Sequence, residues 1–493
     1  MRIEADIRAG AAKSGHKSGR KLTYRIVVSA GAVFFALLLW FAAQNTGGFL
    51  LSGLGWQKAS LLLGGSALVL VLAAAAAERM NRIVYLGLLL ALAAALRYVW
   101  VVSMDTPPVS DFLDMHQAAL QAAAGDYSFG TNAYFSRWIY QLGFAMAQAV
   151  MVKWFGPSLL ALKLWNAALS TGTVLLVYGI GRTVLNEAAG RAAALCLAIY
   201  VPNIIMCSVL TNQHLSTFLF AAGLYAVLHW RLADWYSWAL IGLLFGLGNI
   251  VRPLGGFYLA GLAVYAVVFL LLPWARRGRV LVLLRLAGVI VIYMLVQQFV
   301  SWAFIAGGIT PYKLSNPEPY WKLVAGLNAE TTGGWSWEDE QEVLRYPLGE
   351  ARSEAELAII RERMADKEAL LELLGRKFVL MWGGEDAAPV WSLWGMEEPG
   401  LKMRLIALER VMYTLMAAFG LLGLLACLYR GAEEKGQALL ILLLLGYALL
   451  HLAIEIQTRY RFDVMPLLLI PGAYGLSLAA DGIKRLIRRR RET

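Results

Sequence analysis

The segment 105–120, DTPPVSDFLDMHQAAL, sets three aspartates and a histidine directly after a long apolar run. Pro107 and Pro108 stop the preceding helix, and Ser110 is placed to N-cap the next one, which runs to about Ala124 before Gly125. Asp111 then falls in the first turn, with Asp114 three residues on along the same face. Two roles fit such acids. They complement the helix dipole and stay solvated, or one of them, shielded from water near a hydroxyl, acts as a general base worth roughly 10²–10⁴ in rate. His116, two residues beyond Asp114, is off that face. It is either solvated or, with Asp114, a support for an acceptor. Asp105 only ends a span.

The cationic partners come much later in the chain. GNIVRPLGG (248–256) puts Arg252 beside a proline at the end of a short apolar run, where an interrupted helix would expose it. EIQTRYRFDVMP (455–466) carries Arg459 and Arg461 around Tyr460. Guanidinium forks match phosphate oxygens, though lipid headgroups would satisfy the same side chains. His214, in LTNQHLST, is an interfacial polar residue or a substrate contact. Trp335 and Trp337 offer planes that pack against sugar faces. A carboxylate together with an arginine clamp is what sugar transfer from a lipid-linked phosphate donor requires.

These groups need a membrane scaffold. The 493 residues are 59% hydrophobic and only 16% charged, with mean hydropathy +0.60; soluble domains carry about 25% charge. Apolar runs long enough to cross a bilayer recur at about 23–43, 57–77, 83–103, 158–181, 189–208, 213–230, 236–252, 254–273, 280–303, 405–428, 436–455 and 462–481. The expected fold is therefore an all-α polytopic bundle of about twelve transmembrane helices. The net charge of +11 gathers at the chain ends and in short loops. That placement fixes topology and leaves no compact basic domain for nucleic acid. With Arg2, Arg8 and Lys13 at one end and KRLIRRRRET at the other, the rule predicts both termini in the cytoplasm. The loops bearing Arg79/Arg82, Arg182/Arg191, Arg276/Arg277/Arg279 and Arg430/Lys435 face the same way. By parity, the acids of 104–157 and the arginines of the late loops lie outside.

Residues 130–155 are apolar but would invert every later loop if they crossed. They read as interfacial helices, with Tyr134, Trp138, Tyr140 and Trp154 at headgroup depth. The divisions expected are a basic tail (1–22), an N-terminal membrane region (23–300) with its outer loop at 104–157, an outer loop domain (301–404), a C-terminal membrane region (405–482) and a second basic tail (483–493). Within 301–404, Leu357, Ile360, Met364, Leu371, Leu374 and Phe378 predict one amphipathic helix over 350–378. Cys196, Cys207 and Cys427 all fall in predicted spans without a CxxC pair, which indicates neither a disulfide framework nor a thiolate metal site.

The ordered set VSDFLDMHQAALQAAAGDY, YQLGF…KWFGPSLLALKLWNA, RPLG, GLNAETTGGWSWED and RYRFDVMPLLLIPGAYGL resembles the GT-C superfamily. More narrowly, it resembles the polyprenyl-phosphate-sugar-dependent glycosyltransferases related to protein O-mannosyltransferases and aminoarabinose transferase (glycosyltransferase family 39-like). The likeness covers the chain from about residue 83. It implies a GT-C-like fold with Asp111 catalytic, the arginines and Tyr460 on the lipid phosphate, and an envelope glycan, lipid or protein as acceptor. The implied setting is the plasma membrane, with the active site on its extracytoplasmic side. No cofactor or divalent metal is expected, since 105–126 contains no DxD. The chain departs from the family where a second outer acid is usual, for Asn212, Gln213 and His214 stand there. An envelope polysaccharide polymerase or ligase, and a transporter or flippase, are the rival readings.

Overall fold

Helix is the dominant structure in the computed structural model of the chain, which describes residues 14–230, 235–271, 276–430 and 435–492, and no strand occurs among them. Arg2, Arg8 and Lys13 of the expected tail, and segments 272–275 and 431–434 of the expected basic loops, lie outside the described residues. The chain opens with three long helices, α1 (Ser14–Leu54), α2 (Trp56–Arg79) and α3 (Arg82–Ser103). Short elements follow: α4 (Asp111–Ala123), α5 (Ala133–Arg137) and α6 (Leu142–Phe155). Next come α7 (Leu159–Val184), α8 (Glu187–Ile199), α9 (Val201–Ile205), α10 (Gln213–Trp230), α11 (Trp235–Val251), α12 (Gly255–Tyr265) and α13 (Arg276–Ala306). Five helices of the late loop region are α14 (Trp321–Gly326), α15 (Trp337–Leu344), α16 (Glu350–Arg363), α17 (Lys367–Phe378) and α18 (Ala388–Ser392). The chain closes with α19 (Pro399–Arg430), α20 (Lys435–Ala453) and α21 (Arg461–Glu492).

The described residues of the expected spans are mostly helical. Among the described residues, eight helices are long and apolar enough to cross a bilayer: α1, α2, α3, α7, α13, α19, α20 and α21. The protein is thus a multi-pass membrane protein. α8 and the 201–208 segment pass the same length and apolarity test only together, as a pair bent by 59°, the form of a broken span or a re-entrant loop. Pro202 removes a backbone donor at that bend, and the buried Arg97 guanidinium donates to the Leu197 and Ala198 carbonyls there. The other three expected spans, α10, α11 and α12 with its continuation to Leu271, are shorter or less apolar than these. Segment 130–155 forms no long helix; α6 ends at Phe155.

Lipid is as apolar as leucine, so packing rather than water exclusion joins such helices. Close approach follows from small residues. At the α19–α21 crossing, a Cβ on Gly475 would stand 1.9 Å from the Phe419 carbonyl oxygen. One apolar core runs through α1, α7, α8, α10 and α19–α21. A second joins α4, α6 and residues of the late loop region.

Two local expectations are corrected. Segment 350–378 is two helices, because the Asp366 side chain accepts from Glu368 N and Ala369 N at 3.0 Å and starts a new one. Ser110 does not cap α4. Its φ of 52° and ψ of −142° leave no side-chain cap, and the helix begins on backbone bonds to the Val109 and Ser110 carbonyls.

Candidate active site

The breaks between helices converge on one cavity of about 790 Å³. Its wall takes Ser110–Phe112 from the start of α4, Trp138, Tyr140 and Gln141 before α6, Arg252–Leu254 between α11 and α12, Trp321 and Lys322 from α14, and Glu455, Gln457, Arg459 and Tyr460 before α21. Gly143 brings α6 hard against the Arg252 turn, since a Cβ there would meet the Ile250 carbonyl oxygen at 1.9 Å. Arg137 ties the early loop to the late one through ion pairs to Glu318 and, at 2.6 Å, to Glu340. Its guanidinium lies over the Trp138 and Trp321 rings.

Asp111 heads α4 and faces the cavity. Among the described residues no cation lies within ion-pair distance of it. Its carboxyl pKa is raised above the ordinary carboxylate value. Surrounding protein displaces water from it, and Glu455 and Glu340 add negative charge, against the lowering effect of Arg459 and Lys322. Asp111 is nevertheless open to cavity water, which screens part of that shift. Asp114 is raised by partial burial and by Asp111, but it does not line the cavity. His116 is buried, with Nδ1 unpartnered, and also stands outside it.

Of the expected cations, the cavity receives Arg252 and Arg459. Arg252 is committed. It pairs with Asp463 at 2.9 Å, donates to Asn212 Oδ1 at 3.1 Å and lies over Tyr460. Arg459 donates through Nε to Gln457 Oε1 at 2.6 Å. It has no carboxylate within ion-pair distance among the described residues, so its terminal nitrogens are available to a ligand. Tyr460 lines the cavity beside it.

Arg461 turns the other way. It is fully buried among Asp386, Glu409 and the Gly384 carbonyl, and does not reach the cavity. A 3₁₀ turn over Thr458–Tyr460 separates the two side chains. His214 is likewise buried away from the cavity, edge-on to Phe462. Trp335 lines the rim and donates to Glu340 at 2.6 Å, while Trp337 lies outside it. Trp138 and Tyr140, expected as interface anchors, belong to the cavity wall; burial raises the Tyr140 phenol.

Sequence reasoning missed Lys322, Glu455, Glu340 and His451. Lys322 forms an ion pair with Glu455. Burial alone would raise the Glu455 carboxyl, but Lys322 brings it below its ordinary value. No spacing rule links residues 133 positions apart. His451 Nδ1 pairs with the Tyr447 carbonyl at 2.9 Å.

Residues 141–302 match the family model described as dolichyl-phosphate-mannose-protein mannosyltransferase. Among solved structures, the chain is similar to the archaeal oligosaccharyltransferase AglB from Archaeoglobus fulgidus, in complex with an inhibitory peptide and a dolichol-phosphate. That likeness has 14% identity and a TM-score of 0.45 over 83% of this chain and 51% of that one, so the chain spans about half the length of that structure. No curated protein sequence matches the chain significantly. The stretch from Gln141 to Trp302, which carries α6, the bent helix pair and the Arg252 turn, is similar to the dolichyl-phosphate-mannose-protein mannosyltransferase family, and the GT-C resemblance read from the sequence holds there.

Proposed function

We propose that the protein is a membrane glycosyltransferase that moves a sugar from a polyprenyl-phosphate-linked donor to a hydroxyl of an envelope glycan, lipid or protein. One observation carries the reading. A single cavity presents one carboxylate and one guanidinium, Asp111 and Arg459, that are without an ionic partner among the described residues, while Arg252, Lys322 and Glu340 are already paired.

In the proposed reaction the acceptor hydroxyl gives its proton to Asp111, and its oxygen attacks the anomeric carbon. The bond from that carbon to the phosphate oxygen breaks, and the electron pair leaves on the phosphate. Arg459 stabilises the charge that develops there, a preorganised electrostatic effect. The raised Asp111 pKa makes it a stronger base than a free carboxylate once ionised. Trp138, Tyr140 and Trp335 supply faces for the sugar ring. No step uses a metal ion or cofactor.

We place the cavity on the extracytoplasmic side of the plasma membrane, with both termini in the cytoplasm. The basic groups support this orientation. Arg191 donates to the Ala77 and Met80 carbonyls, and Lys484 pairs with Glu78, so the 79–82 and 182–191 loops and the basic end of α21 meet at one pole. That pole is reached at the opposite ends of α3 and α7 from the cavity. Arg191 is itself buried there, holding the pole together rather than facing solvent.

The test uses purified protein in liposomes with a radiolabelled polyprenyl-phosphate sugar and extracted envelope acceptors. The expected result is free polyprenyl phosphate together with label in the acceptor. Movement of the intact lipid-linked sugar across the bilayer without cleavage would replace this reading with a flippase.

A further inference from the structure

Arg459 lies in the corner formed by two aromatic rings. Its guanidinium carbon sits 4.3 Å from the Trp391 ring centroid and 5.0 Å from that of Phe112. Those two rings meet edge to face at 5.3 Å. Phe112 is the residue after Asp111, so this aromatic corner joins the guanidinium to the helix bearing the carboxylate, the two groups of the cavity that lack an ionic partner among the described residues.

Trp391 stands on α18, and the placement of α18 is over-determined. Asp386 Oδ1 accepts from Ala388 N at 2.9 Å at the start of the helix. The other Asp386 oxygen pairs with the fully buried Arg461, which also donates to the Gly384 carbonyl at 3.0 Å. At the far end of α18, Thr106 Oγ1 donates to the Ser392 carbonyl at 2.6 Å. Thr106 lies five residues before Asp111 in the chain, so the segment leading into α4 is tied to α18 as well.

A guanidinium on a long stem has several rotamers, and stacking selects among them while leaving the fork edge free for an anion. Resting on the reading of the cavity as a glycosyl-transfer site, we propose that Trp391, seated by the Arg461–Asp386 pair, is a positioning residue that fixes the Arg459 fork relative to Asp111. Trp391 itself borders the cavity. Its action is on the donor phosphate, through Arg459.

The experiment compares Trp391→Leu and Trp391→Phe with the wild-type protein. Steady-state transfer is measured with donor and acceptor varied in turn, and polyprenyl phosphate binding is measured by calorimetry. Trp391 is only partly buried, and Trp391→Phe keeps a stacking face. Trp391→Leu should raise the donor KM and weaken polyprenyl phosphate binding by about tenfold, with the acceptor KM unchanged. Trp391→Phe should recover most of that loss. Equal behaviour of the two variants, or a change confined to the acceptor KM, overturns the positioning role. Wild-type protein that binds polyprenyl phosphate but transfers no sugar would sink the catalytic reading. The binding comparison would still decide the role of Trp391.

Discussion

Arg459 and Arg461 are two residues apart, yet they sit in opposite electrostatic settings. Around Arg461, charge is matched. Asp386 and Glu409 face Arg461 and Arg410, Arg410 holds both Glu409 oxygens at 2.6 and 2.7 Å, and the Tyr413 ring lies against both guanidinium groups. Around Arg459, the neighbours are rings and one amide. A buried charge left unpartnered costs several kcal/mol. Matched sets therefore act as structure, and the charges left over mark where a ligand must complete the set. By that criterion Asp111 and Arg459 are the pair of the described residues left open to a ligand, which is why we propose them as the reacting groups, and Arg461 belongs to the scaffold.

The largest expected effect lies on the scaffold side. Arg461→Met should destabilise the protein by about 3–5 kcal/mol by leaving Asp386 and Glu409 unbalanced, which thermal unfolding in detergent reads directly. A variant that keeps wild-type stability but loses phosphate binding would return Arg461 to the site. On the cavity side, Arg459→Met should leave stability near wild type. It should lower kcat/KM for the donor roughly 30- to 150-fold, corresponding to about 2–3 kcal/mol for hydrogen bonds to a charged group. Stability loss as large as that of Arg461→Met would erase the contrast.

Smaller effects sharpen it. Trp335→Leu removes a face at the cavity rim and should cost about 0.5–1.5 kcal/mol of substrate binding, seen in KM with kcat retained. A loss confined to kcat would argue against a binding face. A third charge set, Arg137, Arg352, Glu318 and Glu356, tests the matching rule within the late loop region. Glu356 is completely buried beside Glu318. Burial and then the Glu318 charge push its pKa up to about 7, against Arg137 and Arg352. The folded state thus keeps a proton that the unfolded chain releases near pH 4.3. Stability should fall as pH rises between those values and through about 7. The Glu356→Gln variant should lack that slope, and a slope of wild-type size in it would assign the effect elsewhere.

Eight of the twelve expected spans were legible as bilayer-length helices because about twenty apolar residues leave few alternatives, and Asp111 was legible because prolines and a helix start isolate it. Arg252 was legible as a turn between two short helices. The late cavity wall was not. Lys322 meets Glu455, and Arg461 meets Asp386, only through tertiary folding, and no local period encodes such pairs. The two arginines around Tyr460 look alike as letters. A 3₁₀ turn sends one into the cavity and the other into the bundle. The break at Asp366 did carry a local signal, an aspartate N-cap, which the apolar spacing on either side concealed.

The central claim is that Asp111 is the base. Its pKa is raised, so the ionised carboxylate is a burden on the folded state that begins above the ordinary carboxylate range and is complete above the raised value. Asp111→Asn should therefore be at least as heat-stable as wild type at neutral pH. The decisive measurement is single-turnover sugar transfer from a polyprenyl-phosphate donor by purified Asp111→Asn and wild-type protein across pH. The account predicts a fall of roughly 10²–10⁴ in the variant, and a wild-type rate that declines as pH drops through a pKa above 3.9. Transfer by Asp111→Asn at close to the wild-type rate, with the same pH profile, would contradict it.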